Sequence, residues 1–361
     1  EKTERIVALA RFLCDDLGAA DLEPAVETAA RLLKADLTTE MVKEFTSLQV
    51  VMGGVYARLD GADEQVWRAI YDQYLPASAD DPIPRHSVGR IVSLADRVDT
   101  LVGMFGSGFA PTGSKDPFGL RRAAQGAVRI LLEADLELDP ERVLGRAAEL
   151  YGDRLEMGRD EVVEALRPFL LDRVRHQLGR RGYAHDEIEA ALAGPGGSLA
   201  EVERRAAALQ EVRGEPGFRD VVLAAKRIEN IPRRAEPHEL DETRLTESAE
   251  LELATAATEL ESDIDASEAA KAHRDGLRSI ARFAGVLDRF FVEVLVMDDD
   301  PAVRANRLAL LQRIRRILAR AAGLTQMVVE RTEDDGGPEG AEATASGGAG
   351  SNAEKRGPTN G

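Results

Sequence analysis

Three groups of residues in this chain could bind or transform a ligand. The first is a set of carboxylates, Asp36, Asp96 and Asp99. Asp96 and Asp99 stand three apart, so on a helix they share a side and could pair with Arg97 or Arg121. The second is a glycine run, Gly103, Gly106, Gly108 and Gly113, with Pro111 inside it. A phosphate loop needs a strand before it and a helix N-terminus at a set spacing after it. Here the preceding apolar spacing is helical and no Gly-Lys-Ser/Thr follows, so the run reads as a structural turn. The third group is cationic. Lys226 and Asn230 lie one helical turn apart and can reach one ligand, with Arg227 beside them. Arg304, Arg313, Arg315, Arg316 and Arg320 stud a later helix that has no acid. A further cluster, Arg167, Arg173, Arg175, Arg180 and Arg181, is either a solvated face or a phosphate contact. Asp298-Asp-Asp-Pro lacks the glycine bend and distal glutamate of a calcium loop and reads as a helix cap.

The elements that must position these groups are helical. Ile91, Leu94, Ala95, Val98, Leu101 and Val102 form one stripe at the helical period, with Asp96 and Asp99 off it. Asp116 then suits an N-cap and Pro117 a first helical position, which predicts a helix from Pro117 to Leu132. Asp139-Pro140 repeats that signal. Residues 1 to 17 form an amphipathic helix, and Asp21 is placed to cap the next one. Trp67 shares an amphipathic segment with Val66, Ile70, Tyr71 and Tyr74, which reads as core. His86, beside Pro84 and Ser87, reads as exposed. Residues 160 to 178 bury Val163, Leu166, Leu170, Val174 and Leu178. Gly194-Pro-Gly-Gly-Ser is a flexible break and the best domain boundary. Residues 247 to 270 hold eight acids and no Lys or Arg, a face that repels phosphate and pairs with basic neighbours. Helices follow from Gly276 to Met297 and from Ala302 to Ala322. In the last, Arg307 falls within the apolar arc of Val303, Leu310, Leu311, Ile314, Leu318 and Ala321. It should be buried and pinned to one of the preceding aspartates. Beyond Glu330 no apolar periodicity remains, which predicts a disordered tail over 331–361.

The chain of 361 residues is long enough for two or three domains with real cores. A net charge of −18 excludes nucleic-acid binding by bulk charge, so any RNA contact needs a local basic surface. The single Cys14 excludes an internal disulfide framework and agrees with a cytoplasmic location. No apolar run reaches membrane-spanning length. Glu1 opens directly in helical periodicity, as in a fragment of something longer.

The segment Leu94-Ala-Asp-Arg-Val-Asp-Thr-Leu-Val-Gly, followed by Pro111-Thr-Gly-Ser-Lys-Asp-Pro-Phe-Gly-Leu-Arg-Arg-Ala-Ala, resembles the β subunit of bacterial two-subunit glycyl-tRNA synthetase. So do Lys34-Ala-Asp-Leu with Met52-Gly-Gly-Val-Tyr-Ala, although Gly54 stands where the family often carries a bulky residue. Phe218-Arg-Asp-Val-Val-Leu-Ala-Ala-Lys-Arg-Ile-Glu-Asn-Ile is similar to the opening helix of that family's anticodon-binding domain, of which arginyl-tRNA synthetase has a relative. Val294-Leu-Val-Met-Asp-Asp-Asp-Pro and Arg304-Ala-Asn-Arg-Leu-Ala-Leu-Leu resemble the family's C-terminal end. The resemblance implies an all-α fold. An HD-like helical domain would span 1–135, a helical connector 136–193 and an anticodon-binding (DALR-like) bundle 198–330. It implies a tRNA-binding part of glycine–tRNA ligase, acting with a separate α subunit in an α2β2 assembly on tRNA(Gly). ATP and Mg would be used by the α subunit and not held here. Contacts to tRNA would fall to Lys226, Arg227, Asn230, Arg304, Arg315 and Arg316, with no membrane or DNA partner and no catalytic residue in this chain.

The front region also looks like a decayed member of the HD metal phosphohydrolases. Ala35-Asp36 stands where the family has His-Asp, and Asp96 matches its distant Asp. The five histidines are His86, His176, His185, His238 and His273, so none precedes Asp36. Two carboxylates without imidazoles make a poor metal site, and a cap or a buried hydrogen bond is the expected role of both. A metal-dependent phosphohydrolase and a stand-alone RNA-binding module are the alternatives. Bound metal would mark the first, and purification without an α chain the second.

Overall fold

A computed structural model describes residues 1–112, 115–230 and 239–329. Among them there is no strand, only an isolated bridge between Thr112 and Lys115. Fifteen α-helices are described. They are α1 (Lys2–Asp16), α2 (Glu23–Leu32), α3 (Glu40–Glu44), α4 (Val51–Leu59), α5 (Glu64–Asp72), α6 (Ser87–Gly106), α7 (Leu120–Glu133) and α8 (Pro140–Tyr151). There follow α9 (Arg159–Arg180), α10 (His185–Leu192), α11 (Leu199–Val212), α12 (Phe218–Glu229), α13 (Ser248–Ala269), α14 (His273–Glu293) and α15 (Pro301–Ala321). The fold is all-α, as its apolar periodicity requires.

Helix α6 is the axis of the front half. It packs on α1, α2, α5, α7, α8 and α9, so neighbours surround it. The sequence puts Asp96 and Asp99 off its apolar stripe, yet both are buried, at 8% and 2% exposure. A helix enclosed on every side must bury its polar face too, and those groups then need partners. In the back half α14 packs on α11, α12 and α13, while α15 packs on α12 and α13. Helix α11 touches both α7 and α14. Contacts accordingly hold Glu1–Val328 in one compact unit, and the Gly194–Ser198 break does not divide it. The reason is local: Arg205 of α11 donates to the carbonyls of Ala191 at 2.6 Å and Pro195 at 3.2 Å, tying both sides of the break together.

Several boundaries differ from expectation. Asp116 does cap a helix, but α7 begins at Leu120; the carboxylate accepts from the amides of Leu120 at 2.8 Å and Arg121 at 2.9 Å. Gly119, at φ 66°, inserts a left-handed residue that delays the first turn. Asp21 lies in a 3-10 turn and makes no capping bond, since α2 starts at Glu23 with Pro24 in its first turn. Asp139 caps α8 as expected, accepting from Glu141 N at 2.9 Å. Helix α14 runs three residues earlier than expected and stops at Glu293, leaving Val294 extended. Asp300 caps α15, accepting from Ala302 N at 2.7 Å. Val66 and Ile70 are core, but Trp67 is half-buried and Tyr71 and Tyr74 are exposed. Leu170 is half-buried rather than inward. His86 is exposed, as its neighbours suggest. Pro232, His238 and the tail 331–361 lie outside the described residues.

Candidate nucleic-acid interface

The front carboxylates are held by the protein itself. Asp36 accepts from the amide of Val50 at 2.5 Å. Val50 has φ 73°, a strained value for a β-branched residue, so the carboxylate pins the turn that launches α4. Gly53 in that helix passes so close that a Cβ would sit 3.3 Å from Asp36 Cγ and 3.0 Å from Ile70. At Gly54 a Cβ would meet the Tyr71 ring at 2.8 Å and Trp67 O at 3.1 Å, so α5 leaves no room there for a bulky residue.

Asp96 takes two ammonium groups. Lys34 Nζ lies 2.7 Å from Oδ2, and Lys2 Nζ lies 3.3 Å from Oδ1. Burial alone would raise the Asp96 pKa, but Lys34 and Lys2 outweigh it and hold the carboxyl below the ordinary range. Lys34 also donates to Gln73 Oε1 at 2.9 Å and sits 4.5 Å from the centre of the Tyr74 ring. Asp99 receives Arg5 at 2.7 Å, and Tyr151 OH donates to its backbone carbonyl at 2.9 Å. Burial, with Asp99 nearby, pushes the Tyr151 phenol up to about 12. The two aspartates thus pair with residues of α1 and with Lys34, not with Arg97 or Arg121. Arg97 instead donates to the carbonyls of Tyr74, Leu75 and Pro76 at 2.8, 3.0 and 3.1 Å. Its desolvation in that cage brings its pKa down to about 10. Among the described residues no group of three or more His, Cys, Asp or Glu is placed to hold a metal ion. An ammonium already satisfies the charge of Asp96, and Asp36 is committed to a backbone amide. These residues do not fit a catalytic metal.

A cavity of about 390 Å³ lies between α6, α7, α8, α9 and the start of α11, lined chiefly by Leu94, Val98, Leu131, Leu144, Val174 and Leu199. Of its charged lining, Arg167 and Glu141 are paired at 2.6 Å and Asp139 caps α8.

The cations divide by whether a carboxylate has claimed them. In the cluster at the end of α9, Arg167 pairs with Glu141, Arg175 with Glu189 at 2.6 Å, and Arg181 with Glu203. Arg180 lies 3.5 Å from Asp80, and Arg173 stacks 3.8 Å from the centre of the Phe169 ring. That cluster is mainly a web of ion pairs. The acidic α13 does the same for α15. Glu261 binds Arg313 at 2.8 Å, while Asp265 and Glu268 bind Arg320 at 2.5 and 2.6 Å. Arg307, 4% exposed, is the hub: Glu250 at 2.5 Å, Asp298 at 2.9 Å, Leu295 O at 2.8 Å and Glu247. It is buried as the apolar arc predicts, and three carboxylates hold it.

The expected RNA-contacting residues fall into different environments. Lys226 donates to Met327 O at 2.7 Å, and Arg227 is exposed with its guanidinium 4.1 Å from the Phe291 ring centre. Asn230 is exposed at the C-terminus of α12. Arg315 pairs with Glu229 at 2.9 Å, which joins α15 to the same end of α12. Arg304 donates to Asp298 O at 2.7 Å, 11 positions earlier on α15 than Arg315, so about 16 Å along the helix axis. Arg316 is exposed and has no partner among the described residues. Arg315, Lys226 and Arg304 are therefore engaged within the protein; Arg227 is exposed but lies over the Phe291 ring near Asp288, and Asn230 and Arg316 are exposed. Two unpaired cations that residue type alone did not single out are Lys115 and Arg122, both exposed. The signal in the sequence was the scarcity of acids around them: Asp116 is the one carboxylate between Gly106 and Leu132, and it accepts from backbone amides, while in space Glu156 approaches the turn at Gly108.

Residues 1–193 match the family model described as glycyl-tRNA synthetase beta subunit. The chain belongs to the glycyl-tRNA synthetase β-subunit family. Residues 221–328 match the DALR anticodon binding domain, so this β-family chain carries both modules in that order. It is 38% identical over 332 residues to the glycine–tRNA ligase beta subunit of Paracidovorax citrulli, covering 91% of this chain and 46% of that protein. It is 40% identical over 332 residues to the one from Moorella thermoacetica, covering 91% and 48%. The beta subunit of Acidobacterium capsulatum is 40% identical over 317 residues, covering 85% and 44%. The chain spans about half the length of the curated relatives it matches.

Proposed function

We propose that this chain is the tRNA-binding part of a glycine–tRNA ligase β subunit. It supports ATP-dependent attachment of glycine to tRNA(Gly) on a separate α subunit, in an α2β2 assembly in the cytoplasm. The observation that carries this reading is the occurrence, in one chain and in family order, of a β-subunit module and an anticodon-binding module. The ATP and magnesium of the reaction belong to the α subunit on this reading. This chain supplies position: holding the tRNA fixes its acceptor end relative to the adenylate, which lowers the barrier without a chemical group here.

The arrangement of charge supports a localised grip. With −18 overall, long-range attraction to RNA is absent. Most arginines are paired with carboxylates, so the few that are not are the ones a phosphate meets without displacing a partner. Arg227, Asn230 and Arg316 around the α12–α15 contact form one such spot. No described helix is long and apolar enough to cross a membrane. The domain division into 1–135, 136–193 and 198–330 stays part of this proposal, as functional modules within one packed unit.

Two measurements test it. Binding across tRNA isoacceptors should favour the glycine set; equal affinity for all would reduce the chain to a general RNA-binding module. With glycine, ATP and tRNA(Gly), the isolated chain should form no glycyl-tRNA; charging by it alone would overturn the division of labour.

A further inference from the structure

The turn between α6 and α7 exposes two aromatic rings that the cores do not use. Phe109 is 55% exposed and Phe118 48%, and their centroids stand 5.6 Å apart at 69°. Described backbone next to each ring positions it. Gly108 at φ 76° turns the chain out of α6, and the amide of Phe109 returns to Met104 O at 2.8 Å. Gly119 at φ 66°, just after Phe118, and the Asp116 carboxylate, two positions before it, fix the other side. The platform is anchored below: Phe105, buried in the front core, packs on Phe169 with centroids 5.0 Å apart.

The rings are flanked by cations. Lys115 and Arg122 are exposed and have no carboxylate partner among the described residues. The Arg122 guanidinium lies along the Gly119 backbone, 3.1 Å from where a Cβ would stand. Arg121, between them in sequence, is engaged within the protein and donates to Lys115 O at 3.4 Å. Unclaimed positive charge is scarce in this protein, and exposed aromatic rings beside it are scarcer. The two occur together here.

The geometry points to a binding site for single-stranded RNA, with unpaired bases stacking on Phe109 and Phe118 and the phosphates met by Lys115 and Arg122. The faces of paired bases are covered by their neighbours, so ring stacking selects an unpaired strand over a duplex. Positive charge on an acidic protein selects a polyanion. The inference rests on the tRNA-binding reading and deepens it: a tRNA would be gripped at a second place, through one of its unpaired segments, apart from the α12–α15 spot.

The test uses the full chain and three labelled probes followed by fluorescence anisotropy: an unstructured six-nucleotide RNA, a duplex of the same composition and tRNA(Gly). The parent should prefer the single strand to the duplex. F109A/F118A should lose single-strand affinity by about tenfold or more, and F109W/F118W should keep it. K115A/R122A should flatten the dependence of log affinity on log salt by about 1.4, two phosphate contacts at about 0.7 each. All four side chains are exposed, so circular dichroism and melting should match the parent. Unchanged single-strand affinity in F109A/F118A overturns the site, as does equal binding of duplex and single strand. Tighter binding of an oligoglutamate peptide than of RNA would assign the patch to an acidic protein segment and overturn it too. If F109A/F118A binds tRNA(Gly) like the parent while R316A does not, this site fails and the tRNA-binding reading stands. A parent chain that binds no RNA sinks both.

Discussion

Replacing Arg307 by alanine should destabilise the back half sharply, and the size of the effect follows from what surrounds the guanidinium. Its Nε donates to Glu250, whose side chain is 2% exposed, and its Nη1 donates to Asp298 and to Leu295 O. Truncation leaves the Glu250 carboxylate in the core without its cation, although Glu250 Oε2 keeps the amides of Thr246 at 2.9 Å and Glu247 at 3.1 Å. Removing one partner of a buried ion pair costs about 3–5 kcal/mol. An unfolding entropy of roughly 2.1 cal/mol/K per residue across Glu1–Val328 is about 0.7 kcal/mol/K. The R307A Tm should then fall by about 4–7 °C in a single cooperative transition, read by calorimetry. R307M/E250Q, which removes the guanidinium and its one fully buried carboxylate and leaves only the more exposed Glu247 and Asp298, should recover most of that loss. R307K should fall between, since an ammonium cannot serve three carboxylates and a carbonyl with a planar fork. An R307A protein that melts like the parent would refute the argument. So would a double variant less stable than R307A, because the cost would then lie in packing rather than in a stranded charge.

In the front half, K34M should narrow the acid stability range. The Asp96 carboxyl is held below its ordinary pKa by Lys34 and Lys2, so its contribution is present above the unfolded carboxylate pKa and is lost as pH falls through the folded value. With Lys34 removed the Asp96 pKa rises, and the midpoint of acid unfolding, followed by circular dichroism, should move to higher pH. R316A should weaken tRNA binding and make its salt dependence shallower by about 0.9, measured by filter binding across a salt series; an unchanged slope would show that Arg316 meets no phosphate. G217A should cost more than about 1 kcal/mol in urea unfolding, because its φ of 81° suits glycine and a Cβ would stand 2.6 Å from Ala281 O.

Local chemistry was readable where the answer lies within one turn of helix. Asp139 caps α8 and Asp300 caps α15 because a carboxylate two residues ahead of an amide needs nothing else. Arg307 was legible as buried because its place in an apolar arc is a property of the helix alone. Asp116 was half legible: the cap is real, but the left-handed Gly119 moved the helix start, and sequence spacing does not show φ. The partners of buried charges were out of reach. Lys34 and Asp96 are 62 positions apart, Arg5 and Asp99 are 94, and Arg315 and Glu229 are 86.

The sequence by itself determined that this protein is helical, that its cores are aliphatic, that its acidity forbids a diffuse grip on RNA, and which family it resembles. Each follows from residue type and short-range period. The tertiary structure decided which cations are free to act. Charge is a property of a residue, but availability depends on whether a carboxylate tens of positions away comes within about 4 Å, where a ligand must first displace it. Folding spent Arg313, Arg315 and Arg320 on the protein's own acids and left Arg316, Lys115 and Arg122 at the surface.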